Sequence, residues 1–315
     1  MSATNRGRLL VTGAAGFIGF EVAKRASKAG FEVTALDAVL GGLYPVDEKR
    51  ERFNSLAAEP EIKVIEEDLR NINWSSPEFA FDYVVNLAAM PGLALSWSEF
   101  DLYRSCNFDS VARLVEASRE WPLKKFIQIS TSSVYGLNAV GDETIPLSPV
   151  SPYGVTKLAA ENLLLAHFRT HVFPVSILRY FSVYGPGQRP DMAYRKFIQK
   201  ALAGNPITLY GDGNQSRTNT YIDDVAEATV SAIAGATPGE TYNICGSEET
   251  KLIDAVSFII DETKSSSELI FEPRVPGDQD RTAGDSLKAQ RDFGFQPVTN
   301  LRDGLRNEIE FVSGR

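Results

Sequence analysis

Cysteine and histidine are nearly absent: the 315 residues hold only Cys106, Cys245, His167 and His171. Two cysteines without paired spacing imply no disulfide framework and fit a reducing compartment. His167 and His171 stand one helical turn apart, a spacing that can bind metal, but no third ligand accompanies them, so no metal site is expected. Positive charge is also short. Lys and Arg number 32 against 41 Asp and Glu, for a net charge of −9 and a pI of about 5.0. That balance argues against a nucleic-acid partner. No apolar run approaches the roughly 20 residues that span a bilayer, and Met1–Arg8 lacks an apolar signal core. The expectation is a cytoplasmic protein with no membrane partner. Hydrophobic residues at 43% and charged residues at 23% are ordinary for a globular chain, and the length suits about two domains.

What is present is alternation. Arg8–Thr12, Glu32–Asp37, Ile62–Glu66, Tyr83–Leu87, Lys125–Ser130 and Val175–Tyr180 read as short apolar strands. Phe17–Lys28, Leu102–Trp121 and Tyr153–His171 read as helices between them. Such alternation predicts an α/β fold, a doubly wound parallel sheet covered on both faces. Beyond Tyr180 the texture changes to turn-rich segments such as Gly185–Pro190 and Tyr210–Asn214. A smaller C-terminal lobe over the open end of the sheet is expected, with no flexible linker between the two.

The first strand runs into Gly13-Ala-Ala-Gly16-Phe17-Ile18-Gly19 and then a helix. Gly13 permits the tight turn, Gly16 lets backbone approach a pyrophosphate, and Gly19 lets the helix pack closely on the strand. Helix N–H groups and dipole favour the anion. A glycine turn alone is weak evidence, but Asp37 closes the second strand, where a carboxylate binds a ribose 2′-hydroxyl and repels a 2′-phosphate. NAD is therefore the expected cofactor. Asp68 and Leu69 follow the third strand and are placed to meet the adenine. Leu87, Ala88 and Ala89 follow the fourth and are placed along the cofactor backbone.

Tyr153 and Lys157 share a helix face at i and i+4. Thr131 ends the fifth strand upstream, within Ser130–Gly136, and a strand end and the next helix start share one cleft in a parallel sheet. A phenol is a poor base at pH 7, but a neighbouring ammonium and a cationic nicotinamide favour its ionised form. Hydroxyl, phenol and amine beside a dinucleotide suit hydride transfer at a secondary alcohol. Asp142 and Glu143 read as solvated loop acids.

These motifs, with Asn86–Ala89, Arg179–Gly185, Tyr210–Gly213, Tyr221–Asp224 and Pro276–Asp278, resemble the extended short-chain dehydrogenase/reductases, specifically the NAD-dependent nucleotide-sugar epimerases and dehydratases. Ser130–Gly136, Ser151–Lys157 and Val183–Met192 look most like UDP-glucuronate 4-epimerases. The resemblance implies that Tyr153 is the general base, Lys157 its partner and Thr131 the catalytic hydroxyl. It implies that Asn107 and Tyr180 line the cofactor, that Arg189 reaches the uronate or pyrophosphate end, and that Arg217, Asp278 and Arg281 clamp the nucleotide diphosphate. It further implies residues 1–180 as the NAD-binding Rossmann domain with the Thr/Tyr/Lys trio. Residues 181–315 would mainly form the nucleotide-sugar lobe, with some strand and helix exchange. A homodimer built on the two long helices also follows from it.

Relatives that eliminate or decarboxylate carry acids just before Val-Tyr-Gly, where this chain has Ser132 and Ser133. The expected function is NAD-dependent 4-epimerisation of a UDP-sugar, UDP-glucuronate/UDP-galacturonate first. Thr131, Ser132, Ser133 and Ser182 are expected to donate to the sugar carboxylate and so hinder decarboxylation of the 4-keto intermediate. The alternatives are a UDP-glucose or UDP-N-acetylglucosamine 4-epimerase, or a non-catalytic NAD-binding sensor. An intact Thr131, Tyr153 and Lys157 weighs against the sensor.

Overall fold

A computed structural model describes residues 6–274 and 277–314. Val275 and Pro276 lie outside the described residues, so the Pro276–Asp278 motif is seen from Gly277 onward. The first half runs β1 Arg8–Thr12, α1 Phe17–Lys28, β2 Glu32–Asp37, α2 Asp47–Ala57, β3 Ile62–Glu66, β4 Tyr83–Asn86 and α3 Leu95–Ser98. It continues through α4 Phe100–Arg104, α5 Ser110–Ser118, β5 Lys125–Thr131, β6 Asn138–Gly141, α6 Pro152–His171 and β7 Val175–Tyr180.

The second half runs β8 Val183–Tyr184, α7 Ala193–Leu202, β9 Ile207–Tyr210, β10 Ser216–Thr218, β11 Thr220–Tyr221, α8 Ile222–Gly235 and β12 Thr241–Ile244. It ends with β13 Glu249–Lys251, α9 Leu252–Thr263, β14 Leu269–Glu272, β15 Arg281–Gly284, α10 Leu287–Phe293 and α11 Leu301–Ser313.

Seven strands form one parallel sheet in the order β12-β7-β5-β4-β1-β2-β3. The order reverses beside β1, which opens a crevice at the carboxyl ends of the strands. The register brings the chemistry to that edge: Thr12 pairs with Asn86, Asp37 with Glu66, and Thr131 with Tyr180. Strands buried on both faces read as apolar runs, and β5 and β7 are buried throughout. Below the crevice a polar ladder ties β1, β4 and β5. Thr12 Oγ1 donates to Asn86 Oδ1 at 2.5 Å, and Asn86 Nδ2 donates to Gln128 Oε1 at 2.9 Å.

The two halves exchange elements. β12 and α8 come from beyond Tyr180, yet β12 completes the main sheet and α8 packs on α1. In return β6 joins β13, β10 and β15 in a four-stranded sheet.

One expected helix, Leu102–Trp121, is present but not uniform: it runs unbroken from α4 into α5 through a π-helical turn at Ser105–Asp109 and ends at Ser118. The wider turn carries Asn107 into the interior, where it accepts from Met90 N at 2.7 Å and donates to Thr156 Oγ1 at 3.1 Å. By contrast α6 starts as its sequence dictates, because the Ser151 hydroxyl caps Gly154 N at 3.1 Å and Pro152 occupies the first turn.

Candidate active site

The turn after β1 has room for backbone only. A Cβ on Gly13, at φ +70°, would stand 2.8 Å from the Ala88 nitrogen, and one on Gly19 would stand 2.1 Å from the Gly13 carbonyl. This bare turn at the N-terminus of α1 fits the pyrophosphate of a dinucleotide, with Gly16 in the turn and Phe17 and Ile18 opening the helix. Asp37 is fixed beside it. Ala15 N donates to Oδ2 at 3.0 Å and Val39 N to Oδ1 at 2.8 Å. Val39 holds φ at 48°, a strained conformation for a β-branched residue, and its buried side chain packs with Ala15 and Phe53. The strain is thus retained by packing beside the Asp37 carboxylate that the Val39 N–H holds in place.

Asp68 sits at the end of β3 with its carboxylate gripped by Arg70, Nε to Oδ1 at 3.0 Å and Nη2 to Oδ2 at 2.6 Å. Those hydrogen bonds hold its carboxyl below the usual range. Leu69 is buried, while Leu87, Ala88 and Ala89 line the strand edge half-buried. The Tyr180 side chain turns into the core, where its phenol meets Thr229 Oγ1 at 2.5 Å. Only its backbone therefore stands at the expected place, because the alternating side chains of β7 point to opposite faces.

Thr131 and Tyr153 of the expected trio come together, and Lys157 stands one helical turn beyond Tyr153 on α6. Thr131 Oγ1 hydrogen-bonds the Tyr153 phenol, and the Arg189 guanidinium acts on the same phenol. Burial pushes the Tyr153 phenol up, and these two neighbours pull it back. Its ring meets Tyr103 edge-on at 6.2 Å, and Tyr103 is itself anchored by a 2.7 Å bond to the Pro91 carbonyl. Lys157 is buried and donates from Nζ to the Ile129 carbonyl at 2.6 Å. Burial pulls its ammonium down to about 8, and the Glu161 carboxylate opposes that fall. A lysine near this value still carries charge at neutral pH.

The residues expected at the sugar divide into groups. Arg189 is paired with Asp191, and its guanidinium acts electrostatically on the Tyr44 and Tyr153 phenols. Ser133 stands beside Thr131, with the two hydroxyls 3.2 Å apart. Ser182 follows β7 at φ 22°, rare for a residue other than glycine.

Ser132 is placed differently. It is buried and its hydroxyl donates to Gln279 Oε1 at 3.2 Å. The Gln279 amide is oriented by two carbonyls, donating to Ser132 O at 3.2 Å and Gly136 O at 2.8 Å. A hydroxyl has one proton, so in this arrangement Ser132 has none to give a carboxylate.

Arg217 and Asp278 do come together, Nη2 to Oδ1 at 3.1 Å. Arg281 stands apart from that pair, half-exposed on β15 and held two-pronged by Glu249 at 2.7 and 2.8 Å.

Several supports escaped the sequence reading. Asp191 lies within the Arg-Pro-Asp segment and Gln279 follows Asp278, so both were within reach of the motifs. Tyr44 and Tyr103 carry no local signal. Glu161 stands one turn beyond Lys157, and that spacing was a usable clue.

Known proteins agree with this architecture. Residues 9–245 match the family model "NAD dependent epimerase/dehydratase family". A Bacillus subtilis (strain 168) protein named as an uncharacterized UDP-glucose epimerase, YtcB, is 39% identical over 311 residues, covering 97% of this chain and 98% of its own. The UDP-glucuronate 4-epimerase of Thermodesulfobacterium geofontis (strain OPF15) is 31% identical, covering 97% of this chain and 96% of its own. The crystal structure of UDP-glucuronic acid 4-epimerase from Bacillus cereus, in complex with UDP-glucuronic acid and NAD, superposes with a TM-score of 0.94 at 38% identity. That match covers 98% of this chain and 99% of the other. With the glycine turn, the Asp37 clamp and the Thr131–Tyr153 contact in place on a seven-stranded parallel sheet, the chain belongs to the NAD-dependent epimerase/dehydratase family.

Proposed function

We propose that this protein interconverts the C4 epimers of a UDP-sugar, with UDP-glucuronate and UDP-galacturonate as the favoured pair. The observation that carries the reading is the Tyr153 phenol, on which the Thr131 hydroxyl and the Arg189 guanidinium both act to favour the ionised form. A proton-handling group and a carboxylate-binding cation thus share one site beside the nucleotide turn. Bound at that turn and Asp37, NAD supplies a two-way hydride carrier. Tyr153 takes the proton of the sugar 4-hydroxyl, with Thr131 sharing it, and returns it after the sugar presents its other face. Lys157 keeps positive charge near the phenol and favours its ionised form. Arg189, Ser133 and Ser182 hold the carboxylate near the plane of the C4 ketone, which weakens the overlap that loss of CO₂ requires. Arg217 and Asp278 sit at the diphosphate end.

The reading extends to organisation. Residues 1–180 chiefly bind NAD and residues 181–315 chiefly bind the nucleotide sugar, in a cytoplasmic homodimer. Val155 on α6 and Phe100 on α4 are exposed apolar residues on the helices that would meet. Among the described residues, no helix is long and apolar enough to cross a membrane.

A second reading, a UDP-glucose 4-epimerase, is favoured by the engaged Ser132 hydroxyl, which removes one donor from a carboxylate. The 39% identical relative is named as an uncharacterized UDP-glucose epimerase. Incubation with a panel of UDP-sugars, read by chromatography for the C4 epimer, separates the two. Conversion of UDP-glucuronate above UDP-glucose supports the first reading, and the reverse order replaces it with the second.

A further inference from the structure

Behind the trio lies a buried polar chain that the proposed reaction does not use. Glu161 and Arg179 are almost wholly buried. Arg179 Nε donates to Glu161 Oε1 at 3.1 Å and Nη2 to Oε2 at 2.6 Å. The Ser130 hydroxyl also donates to Glu161 Oε1. On its far side Arg179 Nη1 donates to the Tyr135 phenol at 2.8 Å, and that phenol donates to Asn243 Oδ1 at 2.7 Å. Asn243 N in turn donates to Glu143 Oε1 at 2.6 Å. The Glu143 loop acid is therefore tied to the network.

The placement is specific. Ser130 adjoins Thr131, and Glu161 lies one helical turn from Lys157 on the same face of α6. Among the described residues Lys157 forms no ion pair; its Nζ meets the Ile129 carbonyl, which cannot neutralise it. A buried ammonium without a counter-charge tends to lose its proton. Other titratable groups on the elements packed against α6 are engaged elsewhere. Tyr103 bonds the Pro91 carbonyl, Asp109 pairs with Arg104, Glu116 with His167, and Lys125 bonds the Ala236 carbonyl. The Cys106 thiol is pushed up by burial and is neutral. Tyr153 stands one turn the other way, and Tyr135 and Arg179 belong to the chain itself.

We propose that Glu161 is a positioning residue acting through Lys157: its carboxylate holds the buried lysine as an ammonium, and Arg179 and Ser130 set how much of that negative charge the lysine feels. The role rests on the reading of Tyr153 and Lys157 as the proton-handling pair. Glu161 touches no substrate atom in it. A bare carboxylate would bind the lysine directly and draw it from the Ile129 carbonyl; the shared one acts over a helical turn.

The test is a titration of Lys157 in protein labelled with ¹³C at lysine Cε, with its signal assigned by its absence in Lys157→Met. Glu161→Gln alone leaves Arg179 buried without its partner and endangers folding, so the main variant is Glu161→Gln/Arg179→Met. Ser130→Ala, which adds no buried charge, is the milder second arm. The Lys157 midpoint should fall by about one pH unit in the double variant and rise in Ser130→Ala. The alkaline limb of turnover should move in the same directions. A midpoint unmoved in Ser130→Ala, and equally unmoved in any double variant that folds, overturns the proposal, because a merely structural network lowers stability without moving that titration. If the unaltered protein epimerises no UDP-sugar, the functional reading fails, while the titration still reports on Glu161.

Discussion

Arg189 grips Asp191, two residues further along its own loop, through two parallel bonds. Nε donates to Oδ1 at 2.9 Å and Nη2 to Oδ2 at 2.8 Å. This fork fixes the plane of the guanidinium that acts on Tyr153 and, on the proposed reading, leaves its other edge for an anionic sugar. Arg189→Ala should remove a charged hydrogen bond of about 1.5–3 kcal/mol. The KM for UDP-glucuronate should then rise about 10- to 150-fold, with a much smaller change for UDP-glucose. Pentose by-product should increase, since the carboxylate is less restrained. Steady-state kinetics on both substrates, with product ratios by mass spectrometry, check this. Equal losses on both would place Arg189 at the diphosphate instead.

Tyr153→Phe keeps the ring packed on Tyr103 and deletes the phenol oxygen. Turnover should fall about 100- to 10,000-fold, while NAD binding, measured by calorimetry, stays within a few-fold. Near-normal turnover would mean that another group takes the 4-hydroxyl proton.

Asp37 receives two backbone N–H groups, from Ala15 and Val39, so its carboxylate is locked at the end of β2, where on the proposed reading it meets the ribose 2′-hydroxyl. NAD should bind more tightly than NADP in competition, and Asp37→Ala should narrow the gap. Stronger binding of NADP by the unaltered protein would remove the assignment.

Glu308 on α11 is fully buried. Burial pushes its carboxyl up to about 8, although the Gly185 N–H and Arg195 both favour the ionised form. A carboxyl raised on folding contributes stability that is complete below its unfolded value and is lost as pH rises through its folded value. Glu308→Gln cannot ionise. Its Tm should match that of the parent near pH 5 and exceed it increasingly from pH 6 to 9. A constant gap across that range would show that Glu308 does not titrate with folding.

The sheet and the nucleotide turn were legible because they rest on local rules: short β-rich runs, a glycine turn opening a helix, an acid at a strand end. The start of α6 was legible for the same reason, with Ser151 and Pro152 as its cap. The π-helical turn at Ser105–Asp109 was not, because it is set by what Asn107 must reach across space, Met90 and Thr156. Tyr180 was misjudged at the side-chain level, since β7 is buried on both faces and periodicity does not say which residues face the ligand. Ser132 and Arg281 carry no sign in the sequence of the partners that engage them, Gln279 and Glu249, which arrive from 147 and 32 residues away.

The most direct test of the account follows one hydrogen. UDP-glucuronate carrying deuterium at C4 should be converted to UDP-galacturonate that retains the deuterium at C4 when the reaction runs in ordinary water, with little pentose formed. Retention is what a hydride removed and returned within one closed site requires, with Tyr153 handling only the hydroxyl proton. Loss of the deuterium to solvent, or a product inverted at another carbon, would contradict it.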